Sequence, residues 1–97
     1  MNEIQKNWQR VKEICLTINR KRNLQTLSSD EEKELRESLA KAWEEYVNSL
    51  PKYAQYDILC IIKTKYEEKV VRLKDVPKML LENDYVFNLI LKLYGRG

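Results

Sequence analysis

The chain has 97 residues, 43% apolar and 34% charged, with a net charge of +3; that length supports one hydrophobic core rather than two. It has no histidine, and its two glycines, Gly95 and Gly97, stand at the C-terminal end, which removes the commonest general base and metal ligand and any internal phosphate-cradling loop. No apolar run approaches the roughly 18 to 20 residues that cross a bilayer, and MNEIQKNWQR lacks a signal-peptide pattern, so the expectation is a cytoplasmic protein without a membrane segment.

Ile4, Trp8, Val11, Cys15 and Ile18 recur at alternating steps of four and three, which predicts a first helix over residues 3–22 with one apolar stripe. Arg20, Lys21 and Arg22 close it, where positive charge suits the helix dipole, and Asn23 is its expected terminator. A second helix is predicted over residues 29–49. Ser28 or Ser29 caps it, Asp30, Glu31 and Glu32 fill its first turn, and Pro51 ends it. Its apolar face carries Leu35, Leu39, Ala42, Trp43, Tyr46, Val47 and Leu50.

The run Ile58, Leu59, Cys60, Ile61, Ile62 is ambiguous between buried strand and buried helix. Tyr53, Tyr56, Ile58, Leu59, Ile62 and Tyr66 recur at helical steps, so a third helix is read over residues 52–65. The segment VVRL is read as a short extended piece. Asp75 then caps a short helix to about residue 81, with Pro77 in its first turn. Asn83 caps a fifth helix that ends at Tyr94, with Gly95 as a left-handed C-terminal residue. The fold class expected is all-α: a compact five-helix domain, with a helical hairpin over residues 1–50 and a three-helix unit over residues 51–97.

Charge is distributed unevenly. Residues 1–27 carry a surplus of +4, residues 28–50 of −4 and the remainder of +3, which suggests an antiparallel helix pair whose faces compensate each other. Cys15 and Cys60 stand in apolar contexts and fit buried free thiols. No catalytic constellation is visible: the adjacent acids Glu31 with Glu32 and Glu44 with Glu45 point about 100° apart on a helix and cannot act as a pair. No enzyme activity, metal, cofactor or small-molecule substrate is therefore expected. Trp8, Trp43, Tyr46, Tyr53, Tyr56 and Tyr66 could stack on bases, but their helical spacing favours core packing.

Leu80, Phe87, Ile90 and Tyr94, counted from Val76, fall at the spacing that packs the second and third helices of a helix-turn-helix, and residues 53–97 resemble the tri-helical core of helix-turn-helix and winged-helix proteins. That resemblance implies a last helix that enters the major groove, with Asp84, Tyr85, Asn88, Leu89 and Lys92 as its reading face. The charges on that face nearly cancel, whereas affinity for duplex rests on neutralised phosphates.

The fifth helix is apolar on nearly every side, and such a helix must be covered on every side. Two readings follow. In the first, the chain is a non-catalytic helical module for protein association, with itself or within a larger assembly, through Phe87, Leu91 and Tyr94. In the second, it binds nucleic acid through Arg20, Lys21, Arg22, Arg72, Lys74, Asn88 and Lys92. Local compensation of charge places the first ahead of the second. A helix 5 wrapped by the other four helices accounts for the same composition without any partner.

Overall fold

The computed structural model of the protein describes residues 2–57, 59–63, 65 and 68–95, without the side chains at 57, 59–63 and 69. Helix α1, Glu3–Asn23, begins at a reciprocal cap: Asn2 Oδ1 accepts from the Gln5 N–H at 2.8 Å, and Gln5 Oε1 accepts from the Asn2 N–H at 3.4 Å. Val11, Cys15 and Ile18 are buried along its predicted stripe. The helix stops at a backbone loop just beyond Asn23. Gln25 takes φ 57°, and the N–H groups of Gln25 and Thr26 reach back to the carbonyls of Arg22 and Lys21 at 3.1 and 3.0 Å. This is a Schellman closure with glutamine where glycine is usual.

Helix α2, Ser29–Asn48, is capped by Ser28, whose hydroxyl accepts from the Glu31 N–H at 3.1 Å. It lies antiparallel to α1, as the opposite segment charges suggest. Arg10 pairs with Glu45 at 3.2 Å near one end, and Lys21 with Glu31 at 2.9 Å and Arg22 with Glu32 at 3.0 Å near the other. These pairs are half in solvent and each adds at most about 1 kcal/mol. The buried residues Leu39, Ala42, Trp43 and Val47 hold the helices together, since burying one large apolar side chain contributes roughly 1.5 to 3 kcal/mol.

The third helix departs from expectation. Helix α3 is Lys52–Asp57, and the chain then forms strand β1, Leu59–Lys63, paired antiparallel with β2, Glu68–Arg72. The register sets Cys60 opposite Val71 and Ile61 opposite Val70. Helical spacing over residues 52–65 was real, but β-branched residues in both segments favour a pleated pair once they meet across a short connection. The extended reading of VVRL agrees with β2. Ile58 and Tyr66, two of the positions that suggested the helical repeat, and the Cys60 side chain lie outside the described residues.

A 3-10 turn, Leu73–Asp75, runs directly into helix α4, Val76–Glu82, with Pro77 in its first turn. Asp75 makes no side-chain capping bond there, because the preceding turn is already helical and the Val76 N–H donates to the Leu73 carbonyl. Helix α5, Asp84–Tyr94, is capped by Asn83 Oδ1, which accepts from the Val86 N–H at 3.1 Å. Gly95 follows with φ −95°, not in the left-handed region. It is glycine for a different reason: a Cβ there would fall on the Asn19 amide and lie 2.6 Å from the Leu91 carbonyl oxygen.

Among the described residues there are thus five α-helices and one two-stranded hairpin. Helix α1 packs on α2 and α5, while α4 packs on α2 and α5, so four helices share the core. Helix α3 packs chiefly on the 3-10 turn, and less on α2 and β2. The all-α, five-helix class expected is what the described residues show, with α4 and α5 completing a four-helix core with the N-terminal pair. The molecule measures 40 × 38 × 22 Å, and its short dimension is about two helix diameters.

Candidate functional surface

Helix α5 is turned inward. Phe87 is 1% exposed and Leu91 2%, so neither forms the outward patch expected of them: α1 and α4 cover the face that carries them. Tyr94 is half-buried, with its ring edge-on to Trp8 at a centroid distance of 4.9 Å. The apolar groups that α5 does leave to solvent are Tyr85 and Leu93. Helix 5 as a wrapped core element describes this helix better than helix 5 as an interface.

Trp8, Trp43, Tyr46 and Tyr94 form one aromatic cluster, with centroid distances of 4.9 to 6.0 Å. Rings that close touch one another and leave no room between them for a cation, so the cluster is packing and not an aromatic cage. Among the described residues the indole N–H of Trp43 has no hydrogen-bond acceptor. Its ring meets those of Trp8 and Tyr46 at interplanar angles of 73° and 77°, which supplies π faces near a buried donor. An apolar cleft of about 180 Å³ opens beside the cluster toward Leu89 and Leu93.

The basic candidates do not share one surface. Lys21 and Arg22 are spent on Glu31 and Glu32, and Arg22 also donates to Asn88 Oδ1 at 2.9 Å. Arg20 is exposed beside them. Lys74 lies toward the other end of α2: its Nζ donates to the Tyr56 hydroxyl at 3.0 Å and sits 4.5 Å from the centre of that ring. This hydrogen bond, with the charge behind it, draws the Tyr56 phenol below its usual pKa. The stretch of α2 from Glu32 to Asn48 that separates the two groups spans about 24 Å. Arg72 is exposed at the end of β2, and Asn88 and Lys92 are exposed on α5.

A residue that the sequence did not single out ties α2 to the junction of α4 and α5. Arg36 Nε donates to the Leu80 carbonyl at 2.5 Å, its Nη1 pairs with Asp84 at 2.7 Å, and its guanidinium lies 4.4 Å from the centre of the Phe87 ring. Arg22 approaches the same ring at 5.3 Å. A lone arginine inside an amphipathic helix gives no sequence signal of such a role.

An open groove of about 610 Å³ lies between α2 and α4. Its floor is apolar and low, formed by Ala40, Val47 and Pro77. One wall carries Glu37, Lys41 and Glu44 from α2; the other carries Lys74 and Lys78. Leu81, 49% exposed, stands at its edge. Among the described residues, no ion pair engages Glu37, Lys41, Glu44 or Lys78. Sequence reasoning missed this groove because Ala40 and Pro77 are weak apolar signals, and because it assigned α2 a single buried face. In fact α2 buries Trp43 in the aromatic cluster and Ala40 toward α4. No protein-family model, no curated protein and no solved structure matches this chain.

Proposed function

We propose that this chain is a non-catalytic helical binding module that works by protein association, and that the groove between α2 and α4 is its docking surface. The observation that carries the reading is the groove itself: an apolar floor, a half-exposed leucine at the edge, and wall charges at Glu37, Lys41, Glu44 and Lys78 that no ion pair engages among the described residues. Apolar centres rimmed by charge are the ordinary anatomy of a protein interface. The surface moves from Phe87, Leu91 and Tyr94, which serve the core, to Leu81, Pro77 and Ala40.

The nucleic-acid alternative requires Arg20, Lys21, Arg22, Arg72, Lys74 and Lys92 on one face. Against it stand the neutralisation of Lys21 and Arg22 by α2 and the distance from that pair to Lys74. A photo-crosslinking residue in place of Leu81, irradiated in living cells, tests the association reading. Covalent protein adducts at position 81, but not at an exposed α1 control such as Gln9, are the expected result. Equal labelling at both positions, or none at either, would remove the groove from consideration.

A further inference from the structure

We infer that the groove between α2 and α4 receives a second copy of this chain, in a two-fold dimer where Lys74 and Lys78 of each copy face Glu37 and Glu44 of the other. The inference rests on the association reading and names its partner. A two-fold interface uses the same patch on both copies, so that patch must contain both halves of every complementary pair. The groove meets this demand. Its α2 wall carries the acids Glu37 and Glu44, with Lys41 between them in sequence and a net negative charge, its opposite wall the bases Lys74 and Lys78, and the apolar floor lies between them.

Rotating one copy about an axis through that floor brings each basic wall against an acidic one, twice. Among the described residues Glu37, Glu44 and Lys78 have no ion-pair partner, so pairing them across an interface breaks no ion pair seen there. Lys74 keeps its contact with Tyr56 and contributes as the outer charge of its wall. The apolar parts match as well. Leu81 projects at the edge, 49% exposed, while Ala40 and Pro77 leave the floor low; a two-fold arrangement seats each leucine over the floor of the other copy. A wholly acidic or wholly basic partner would meet a like-charged wall on one side.

Sedimentation equilibrium on the purified chain decides the matter, with a dissociation constant in roughly the micromolar range expected for wild type. Leu81→Lys should shift the protein to monomer with an unchanged far-ultraviolet spectrum and melting curve. Lys74→Glu with Lys78→Glu should be monomeric, and so should Glu37→Lys with Glu44→Lys. Mixing those two double variants should restore a dimer, now a heterodimer, because both contacts are again of opposite sign. A wild type that stays monomeric at about 1 mM overturns the inference. So does a dimer that survives all three variants, since it would use another surface, and so does a mixture that stays monomeric while wild type dimerises. A monomeric wild type that still forms adducts at position 81 in cells loses the second copy as partner and keeps the association reading; monomer without adducts loses both.

Discussion

Gly95 shows how one residue can be fixed by a distant part of the chain. Asn19 on α1 sends its side-chain amide to the carbonyls of Leu91 and Gly95 at 2.9 and 3.1 Å, which satisfies acceptors that a helix end otherwise leaves open. That approach has no space for a Cβ, which would also come within 3.0 Å of the Cys15 carbonyl oxygen. Gly95→Ala is therefore expected to cost about 1 to 3 kcal/mol, as crowding of a packed contact does. Removing the Asn19 side chain in the same protein should not restore the loss, since the backbone of Leu91 and Cys15 remains in the way. Urea denaturation of the single and double variants checks this. The sequence marked Gly95 as the end of the helix, which is right. It could not mark the reason, because two of the three crowding groups, Asn19 and Cys15, come from α1.

Cys15 is another residue whose chemistry follows from its surroundings. It is completely buried, and burial pushes its thiol from 9.0 up to about 12. The folded protein therefore holds the neutral thiol more firmly than the unfolded chain does. Its contribution to stability is complete below about pH 9, where the unfolded chain also keeps its proton, and is lost as the pH rises toward about 12. Stability curves of wild type and Cys15→Ala, measured between neutral and strongly alkaline pH, should converge over that interval. Parallel curves would mean that the thiol has no such linkage.

At the scale of elements, α1, α2 and α5 were legible because their signals are local: an apolar repeat and a defined stop, with a cap at Ser28 for α2 and at Asn83 for α5. The β1–β2 hairpin was not, because what makes Leu59–Lys63 a strand is Glu68–Arg72 lying beside it, and no periodicity within residues 52–65 contains that fact. The junction of α4 and α5 is non-local in the same sense. It is held by Arg36, whose side chain is 17% exposed, whereas its partner Asp84 is 86% exposed. Arg36→Met keeps much of the packed stem but leaves the Leu80 carbonyl without its donor, so a loss of about 1 to 3 kcal/mol is expected. Asp84→Asn should cost under about 1 kcal/mol, because a largely solvated ion pair contributes little. Equal losses in thermal melts of the two variants would show that the ion pair, and not the carbonyl contact, holds the junction.

For the molecule as a whole, the decisive quantity is how its charge is arranged. A surplus of +3 over the chain says little, but the +4 of residues 1–27 lies against the −4 of residues 28–50, and the α1–α2 ion pairs are where the two meet. The helical class and the antiparallel pair could be read from this pattern and from the apolar stripes. Which face of α5 would be covered could not, since that depends on how α1 and α4 close over Phe87 and Leu91. The same arrangement governs any encounter with a polyanion. Duplex DNA is attracted in proportion to the phosphates a protein neutralises, and Lys21 and Arg22 would have to leave Glu31 and Glu32 to take part. Binding to duplex or single-stranded DNA and RNA is therefore expected to be weaker than about micromolar at physiological salt, without sequence preference, and with only about two or three ions released. Titrations at two salt concentrations measure both quantities. Sub-micromolar binding that releases several more ions, and that is lost on replacing Arg20, Lys21 and Arg22 together, would reverse the order of the two readings and make the basic end of α1 the working surface.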